Sequence, residues 1–414
     1  MGSDKIKKIL FKGDKIIWAV FFIICAISWI EGFSAISRQV YKSGNYWGPI
    51  LKHSGFLLSG VFVVWFMHNM RVAWIKKLTF VIYWLGLAGL VWAQFSSKIN
   101  DSARWISVFG MTFQPMELAK MGLIMVTALI ITEHQDENGT DRFALKKILL
   151  YSSVPVLLIL KENLSTAMII LLSLYMMMFI ARFPGKQLLV IMASAIVTVV
   201  IGLTAIMLTP ESAANDKGIG QKVVTWKHRI VDALGSKPVS PEEYVVEGNE
   251  QRTYANIAIA SSHIIGVGPG NSVQRDFIPH AYSDFIYAVI IEELGLLGGI
   301  VVLLLYMTIL YRCGKIAKNC EDPYPAFLIM GIGLIVTMQA LMHMYISVGN
   351  FVTGQPLPLI SQGGTSILIN CVYIGMILSI SRYARRASLN PAQANRELTE
   401  ITTNDNNEEY EERV

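Results

Sequence analysis

Apolar residues run through this chain in long blocks, without the strict alternation of a half-buried strand or the polar face of a water-exposed helix. At about 1.5 Å of rise per residue, a helix needs about 20 such residues to cross a hydrocarbon core of about 30 Å. Ten blocks reach or approach that length: Ile16 to Ser34, Leu51 to Asn69, Leu78 to Phe95, Pro115 to Thr132, Ile148 to Leu160, Ser165 to Ala181, Gln187 to Leu208, Asp284 to Leu310, Pro325 to Ile346, and Ser366 to Ser381. The fifth is short, contains Pro155 and is followed by polar Lys161, Glu162 and Asn163, the pattern of a half-span whose end is buried in protein. The expected fold is all-α and polytopic, with one membrane domain over 16–386 and about ten transmembrane helices.

Basic residues orient it. Lys5, Lys7, Lys8, Lys12 and Lys15 precede the first block, Arg71, Lys76 and Lys77 follow the second, and Arg142, Lys146 and Lys147 follow the fourth. Arg182 with Lys186, then Arg312, Lys315 and Lys318, then Arg382, Arg385 and Arg386 fall on the same side, which the positive-inside rule makes cytoplasmic. Both termini are then inside, 1–15 being a cytoplasmic N-terminus that continues into a first span and is not a cleaved signal. One long segment, about 209–283, is left outside, and connections of that length are usually functional. The end of the chain, 387–414, is acidic and poor in apolar residues, the composition of a disordered cytoplasmic tail.

Composition narrows the function. With 53% hydrophobic and 16% charged residues, water is not the main solvent of this chain. The net charge of +5 follows from basic cytoplasmic loops and calls for no nucleic acid. Cys25 and Cys371 lie in apolar blocks, and Cys313 and Cys320 in a basic loop at no zinc spacing, so all four read as reduced thiols. The run from Gly266 to Ser272 lacks the preceding strand of a nucleotide loop; it reads as a tight turn whose glycines allow close backbone approach.

Three constellations carry candidate chemistry. Asp284, Glu292 and Glu293 stand on one apolar block, where ionisable residues are expensive and are functional candidates by default; the structural alternative for Asp284 is an acid at a helix N-terminus. Arg104 and Trp105 precede Gln114, Pro115, Glu117 and Lys120, the last two spaced i, i+3 as an ion pair or a ligand site. The Pro- and Gly-rich stretch from Thr353 to Ser366 offers Ser361, Thr365 and Ser366 as donors to a phosphate or sugar, or as caps of the last helix.

Taken in order, these motifs resemble those of the SEDS family (FtsW, RodA, SpoVE) over nearly the whole membrane region. Arg104, Trp105, Gln114, Pro115, Glu117 and Lys120 match its RW and QPSE-Lys motif, with Met116 in place of serine. Gly266, Gly268, Ser272, Pro279, Asp284, Phe285, Glu292, Glu293 and Gly295 match its glycine turn, LPxxxxDF and EELG, and Leu357 to Ser366 match LPxISYGGSS. Asn163 and Ser165 depart from PDxGT, Tyr282 and Ser283 from the usual His-Thr, and Gln362 from a tyrosine.

The resemblance implies a peptidoglycan glycosyltransferase of the bacterial cytoplasmic membrane. It would polymerise lipid II, an undecaprenyl-pyrophosphate-linked glycan, on the outer face, with Asp284 as catalytic base. Arg104, Trp105, Glu117, Lys120, Ser272, Glu292, Ser361, Gly363, Gly364 and Ser366 would be substrate-binding residues. The resemblance also implies a class B penicillin-binding protein as partner, alongside divisome or elongasome regulators and membrane lipids. The stretch Leu357 to Ser361 and the charged tail lean toward division over elongation. A divalent cation, Mg or Mn, is left open, as are two other classes of function: a lipid II flippase and a noncatalytic scaffold for a transpeptidase.

The orientation is checked by cysteine labelling in intact cells. Cysteines introduced at Ser212 and Gln251 are expected to react with an impermeant reagent, and one at Gly139 is expected to stay protected.

Overall fold

In the computed structural model the described residues are 12–36, 47–95, 106–108, 111–136, 139–210, 250–278, 281–348 and 354–387, with isolated positions between them. They form eleven α-helices: α1 (Lys15–Ala35), α2 (Trp47–Asn69), α3 (Val72–Phe95), α4 (Pro115–Glu133), α5 (Arg142–Glu162), α6 (Leu164–Ile180), α7 (Gly185–Leu208), α8 (Glu250–Ser261), α9 (Ile286–Ala317), α10 (Pro323–Ser347) and α11 (Gly364–Ala387). Among the described residues nine are long and apolar enough to span a membrane, and α6, at 17 residues, falls just short. The chain is a multi-pass membrane protein. Two antiparallel ribbons interrupt the helices: β1 (Ile106–Val108) with β2 (Met111–Phe113), and β3 (Gln135–Asp136) with β4 (Gly139–Thr140).

Burial sorts the helices into layers. α4 and α11 are almost enclosed, α10 is largely so, and α2, α3 and α5 turn broad apolar faces outward. α4 lies at the centre, against α3, α5 and α10. Because lipid is as apolar as a leucine side chain, helices in a membrane associate through close packing. Gly86 and Gly122 supply it here: a Cβ on Gly86 would stand 2.7 Å from the Ala119 Cα, and one on Gly122 2.6 Å from the Tyr83 Cα. α7 is the opposite case, apolar around its whole circumference with only Leu188 buried. At the end bearing the basic loops, Asp14 caps α1 by accepting from the Ile16 and Ile17 N–H groups at 2.9 and 3.1 Å, and it also receives the Arg312 Nε of α9 at 3.0 Å.

Several expectations are corrected. The fifth span is no half-span: α5 runs unbroken through Pro155 for 21 residues. Cys313 is buried within α9 and lies in no loop. The eighth block is not one straight span beginning at Asp284. α9 starts at Ile286 and breaks at Gly295, whose φ of 75° and ψ of −178° belong to a region open essentially only to glycine. The long segment 209–283 contains α8, which packs on the start of α9 through Ala255, Ala258, Ile278, Phe285, Ala288 and Val289. The tail 387–414, apart from the end of α11, lies outside the described residues.

The geometry also refines the labelling test. Gly139 has a φ of 126°, and a Cβ there would lie 2.5 Å from the Arg182 carbonyl oxygen, so a cysteine is strained at that position. Lys146, exposed near the start of α5, is the suitable inside position, and a cysteine there is expected to remain unlabelled while Gln251→Cys reacts.

Candidate active site

The candidate residues gather at the end of the bundle away from Asp14, around the buried stretch 354–363 between α10 and α11. Non-helical backbone at this depth must find partners for its polar groups within the protein, and side chains from three helices provide them. The carbonyl of Pro356 accepts from Gln339 Nε2 at 3.1 Å, that of Pro358 from the Tyr306 hydroxyl, and that of Ile360 from the Ser28 hydroxyl at 3.1 Å. The Gln355 carbonyl faces His343 Nδ1 at 2.6 Å, and the Gln355 side-chain amide reaches Thr166 Oγ1 and, at 3.4 Å, Asn163 Oδ1. Asn163 in turn caps α6 by accepting from the Thr166 N–H at 3.2 Å, so an amide serves as helix cap at this departure from the family motif.

This stretch fixes the turn that carries Asp284. Ser361 Oγ donates to the Ser283 carbonyl at 2.6 Å while accepting from the Leu357 N–H at 2.7 Å. The Gln362 N–H donates to the Tyr282 carbonyl at 2.9 Å, and the Ser347 hydroxyl of α10 donates to the Asp284 carbonyl at 3.4 Å. Asp284 itself is half-buried and precedes α9, with Phe285 as the N-cap, so it is not an acid in the helix's first turn. Burial and the neighbouring Asp284 hold the Tyr282 phenol above its ordinary pKa.

Glu292 and Glu293 are placed differently. Both are buried, and both bind the glycine turn. Glu292 accepts from the Ser272 hydroxyl and from the Val273 and Gln274 N–H groups at 3.0 and 3.3 Å. Glu293 accepts from Gly270 N–H at 2.8 Å, Ser272 N–H at 3.2 Å, Arg275 at 3.2 Å and the Ser34 hydroxyl. The turn enters the break in α9 so closely that a Cβ on Gly266 would stand 2.3 Å from the Gly295 N, and one on Gly295 2.2 Å from the Ile264 carbonyl oxygen. Ser272 and Glu292 thus spend their polar atoms on each other and on backbone. Of the three acids, Asp284 alone keeps a partly exposed position.

Glu117 and Lys120, in the first turns of α4, form a buried pair at 2.8 Å, and Lys120 Nζ also donates to Gln339 Oε1 at 2.7 Å. Gln339 therefore links the lysine to the 354–363 stretch. Gly363 accepts from the Ser366 N–H at 2.6 Å, α11 begins at Gly364, and Asn370 Nδ2 donates to the Ser366 carbonyl at 2.8 Å, so neither Thr365 nor Ser366 precedes the helix as its cap. Arg104 and Trp105 lie outside the described residues. Among the described residues no three His, Cys, Asp or Glu side chains cluster to hold a metal ion.

Sequence reasoning missed Gln339, Gln355, His343, Arg275 and Ser34, polar residues whose roles arise from contacts distant in the chain.

Comparison with known proteins agrees with this architecture. A chain of a solved peptidoglycan synthase complex that coordinates polymerization and crosslinking superposes with a TM-score of 0.71 at 20% identity, covering 90% of this chain and 98% of that one. The rod shape determining protein RodA of Thermus thermophilus superposes with a TM-score of 0.61 at 19% identity, over 91% and 98% of the two chains. Among curated relatives, the probable peptidoglycan glycosyltransferase FtsW of Halomonas elongata is 28% identical over 87% of this chain and 88% of its own, and that of Coxiella burnetii is 29% identical over 89% and 98%. The family model described as cell cycle protein, covering FtsW, RodA and SpoVE, matches residues 14–386, and the chain belongs to that family.

Proposed function

We propose that this protein is a peptidoglycan glycosyltransferase that joins lipid II units into glycan strands at the outer face of the bacterial cytoplasmic membrane. The observation that carries the reading is Asp284: a partly exposed carboxylate at one end of a membrane bundle, on a turn whose three successive carbonyls, at 282, 283 and 284, are each held by a hydrogen bond. A sugar hydroxyl is a weak nucleophile until a fixed base takes its proton. Asp284 accepts the proton of the acceptor's 4-hydroxyl as that oxygen bonds to the donor's anomeric carbon and undecaprenyl pyrophosphate departs. The pyrophosphate needs no protonation to leave, but its growing charge is stabilised by fixed cations. Arg104 is the residue assigned to that task; Lys120, enclosed against Glu117 and Gln339, spends its charge on that pair.

Family membership and the FtsW relatives support a role in division, with a class B penicillin-binding protein as the crosslinking partner. A transporter would carry its site near the bilayer midplane. The position of Asp284 before the first turn of α9, at a bundle end, favours bond formation over translocation.

Asp284→Asn is expected to lower polymerisation of purified lipid II by about 100- to 10,000-fold, the usual contribution of a positioned base, with lipid II binding and thermal stability retained. Near wild-type polymer from a well-folded variant would remove the base assignment; loss of translocation with polymerisation intact would establish transport.

Glu117→Ala and Lys120→Ala are each expected to destabilise the protein by about 3–5 kcal/mol, since each leaves a buried charge without its partner. The double variant should cost less than the sum, as read from a double-mutant cycle on thermal unfolding.

Ser361→Ala strips a partner from both the Ser283 carbonyl and the Leu357 N–H, and is expected to cost about 1–3 kcal/mol of stability. Measured lipid II binding should be preserved, because the Ser361 hydroxyl is turned to backbone.

A further inference from the structure

Two helices run between the same pair of contacts and so measure depth. At one end Arg312 of α9 donates to Asp14, the cap of α1, at 3.0 Å, and at the other Ser34 of α1 donates to Glu293 of α9. At about 1.5 Å per residue, the path from Asp14 to Ser34 is about 30 Å and that from Arg312 to Glu293 about 28 Å. A hydrocarbon core is about 30 Å thick. Tyr311, exposed beside Arg312, marks the near boundary in the manner of an interfacial aromatic. Tilt of either helix only shortens the projected distance, so the level of Glu293 lies at the far boundary or just inside it.

The turn that follows α8 sits at that level. The His263 and Ile264 carbonyls accept from the Leu296 and Leu297 N–H groups at 3.2 and 3.3 Å, and the Val267 and Gly268 N–H groups donate to the Glu292 and Glu293 carbonyls at 3.0 and 2.8 Å. Backbone groups on both sides of the break at Gly295 are thus matched by the turn, which is the condition for irregular backbone at membrane depth. His263, at a φ of 51°, and Gly266, at 79°, bend the chain, and Ile264 and Ile265 between them are 67% and 77% exposed. Beyond the break, Leu296, Leu297, Ile300 and Leu304 are exposed on one face of α9, an apolar stripe that the two isoleucines extend. We propose that residues 263–267 form a wedge set into the leaflet at the Asp284 end, with the Ile264 and Ile265 side chains among the acyl chains just below the headgroups. Its partner is the lipid surface. Depth and continuity with the α9 stripe select lipid over a second protein. The wedge fixes the height of the glycine turn in the bilayer and, through Glu292 and Glu293, that of the broken helix. The inference does not depend on the reaction assigned to Asp284.

The test attaches a nitroxide spin label, one site at a time, to Ile264→Cys, Ile265→Cys, Leu304→Cys and Lys318→Cys. The background is the full-length protein with Cys25→Ser and Cys320→Ser, reconstituted in phosphatidylcholine vesicles with the relaxation reagents on both sides. Collision with oxygen, which concentrates among acyl chains, is compared with collision with a polar nickel chelate, which stays in water. The Leu304 label sets the lipid limit, and the Lys318 label, exposed at the end of α9, sets the water limit. Labels at 264 and 265 are expected to show the high oxygen and low nickel collision rates of the Leu304 site, at a shallower depth. Each labelled protein is first matched to the unlabelled one by thermal unfolding. If the Ile264 variant does not fold, Ile265, the more exposed of the two, and Val267→Cys carry the measurement. Nickel access equal to that at Lys318 would put the turn in water and overturn the proposal. Low collision rates with both reagents would overturn it as well, because another protein surface would then cover the turn.

Discussion

A stretch of backbone that is neither helix nor sheet edge, buried inside a membrane protein, must have its carbonyl and N–H groups satisfied by the protein itself. The segment 354–363 meets that requirement with side chains from α1, α9 and α10, and the organisation of the Asp284 end follows from it. Tyr306, Gln339 and Ser28 each reach a carbonyl of the segment. Because each of those side chains sits on a different helix, the segment fixes the helices' relative heights as much as they fix the segment. Leu359, buried at a φ of 66°, shows that the enclosure is strong enough to hold a non-glycine residue in a sparsely populated conformation.

The acids at this end are held in different ways. In a low-dielectric interior a carboxylate is tolerated when several donors converge on it. Glu292 and Glu293 receive such donors from the glycine turn, Arg275 and Ser34, and become fasteners between that turn and the broken helix α9. The turn that carries Asp284 is held through its backbone. The hydrogen bonds reach the carbonyls of its turn, so the turn is rigid while the side chain stays partly exposed. That is the arrangement expected of a group whose protonation state has to change during a reaction.

Much of this was legible in the chain. Span positions follow from block hydrophobicity, and the Glu117–Lys120 pair follows from i, i+3 spacing, since both are local properties. The close approach of the glycine turn was also foreseeable, because Gly266 and Gly268 lack the side chains that would keep another backbone away. The break at Gly295 was hidden because one glycine in an apolar run is compatible with a straight span; it is the approach of Gly266 from the preceding loop that forces it. Pro155 misled in the other direction. A proline within an apolar run suggests interruption, yet α5 carries it through, since neighbouring structure can re-satisfy the carbonyl it leaves. The hub role of Gln339 and Gln355 had no sequence signature, because an amide's partners are set by tertiary contacts with residues such as Lys120 and Thr166.

α7 shows a different use of the same apolar chemistry. Its neighbours are held by glycine-mediated contact and polar stitching, while α7 is tied to the bundle by little beyond its junction with α6 and offers lipid an almost complete cylinder of hydrocarbon. Among the described residues the bundle therefore has one wall whose side chains face outward on nearly every side, in a molecule otherwise braced from within.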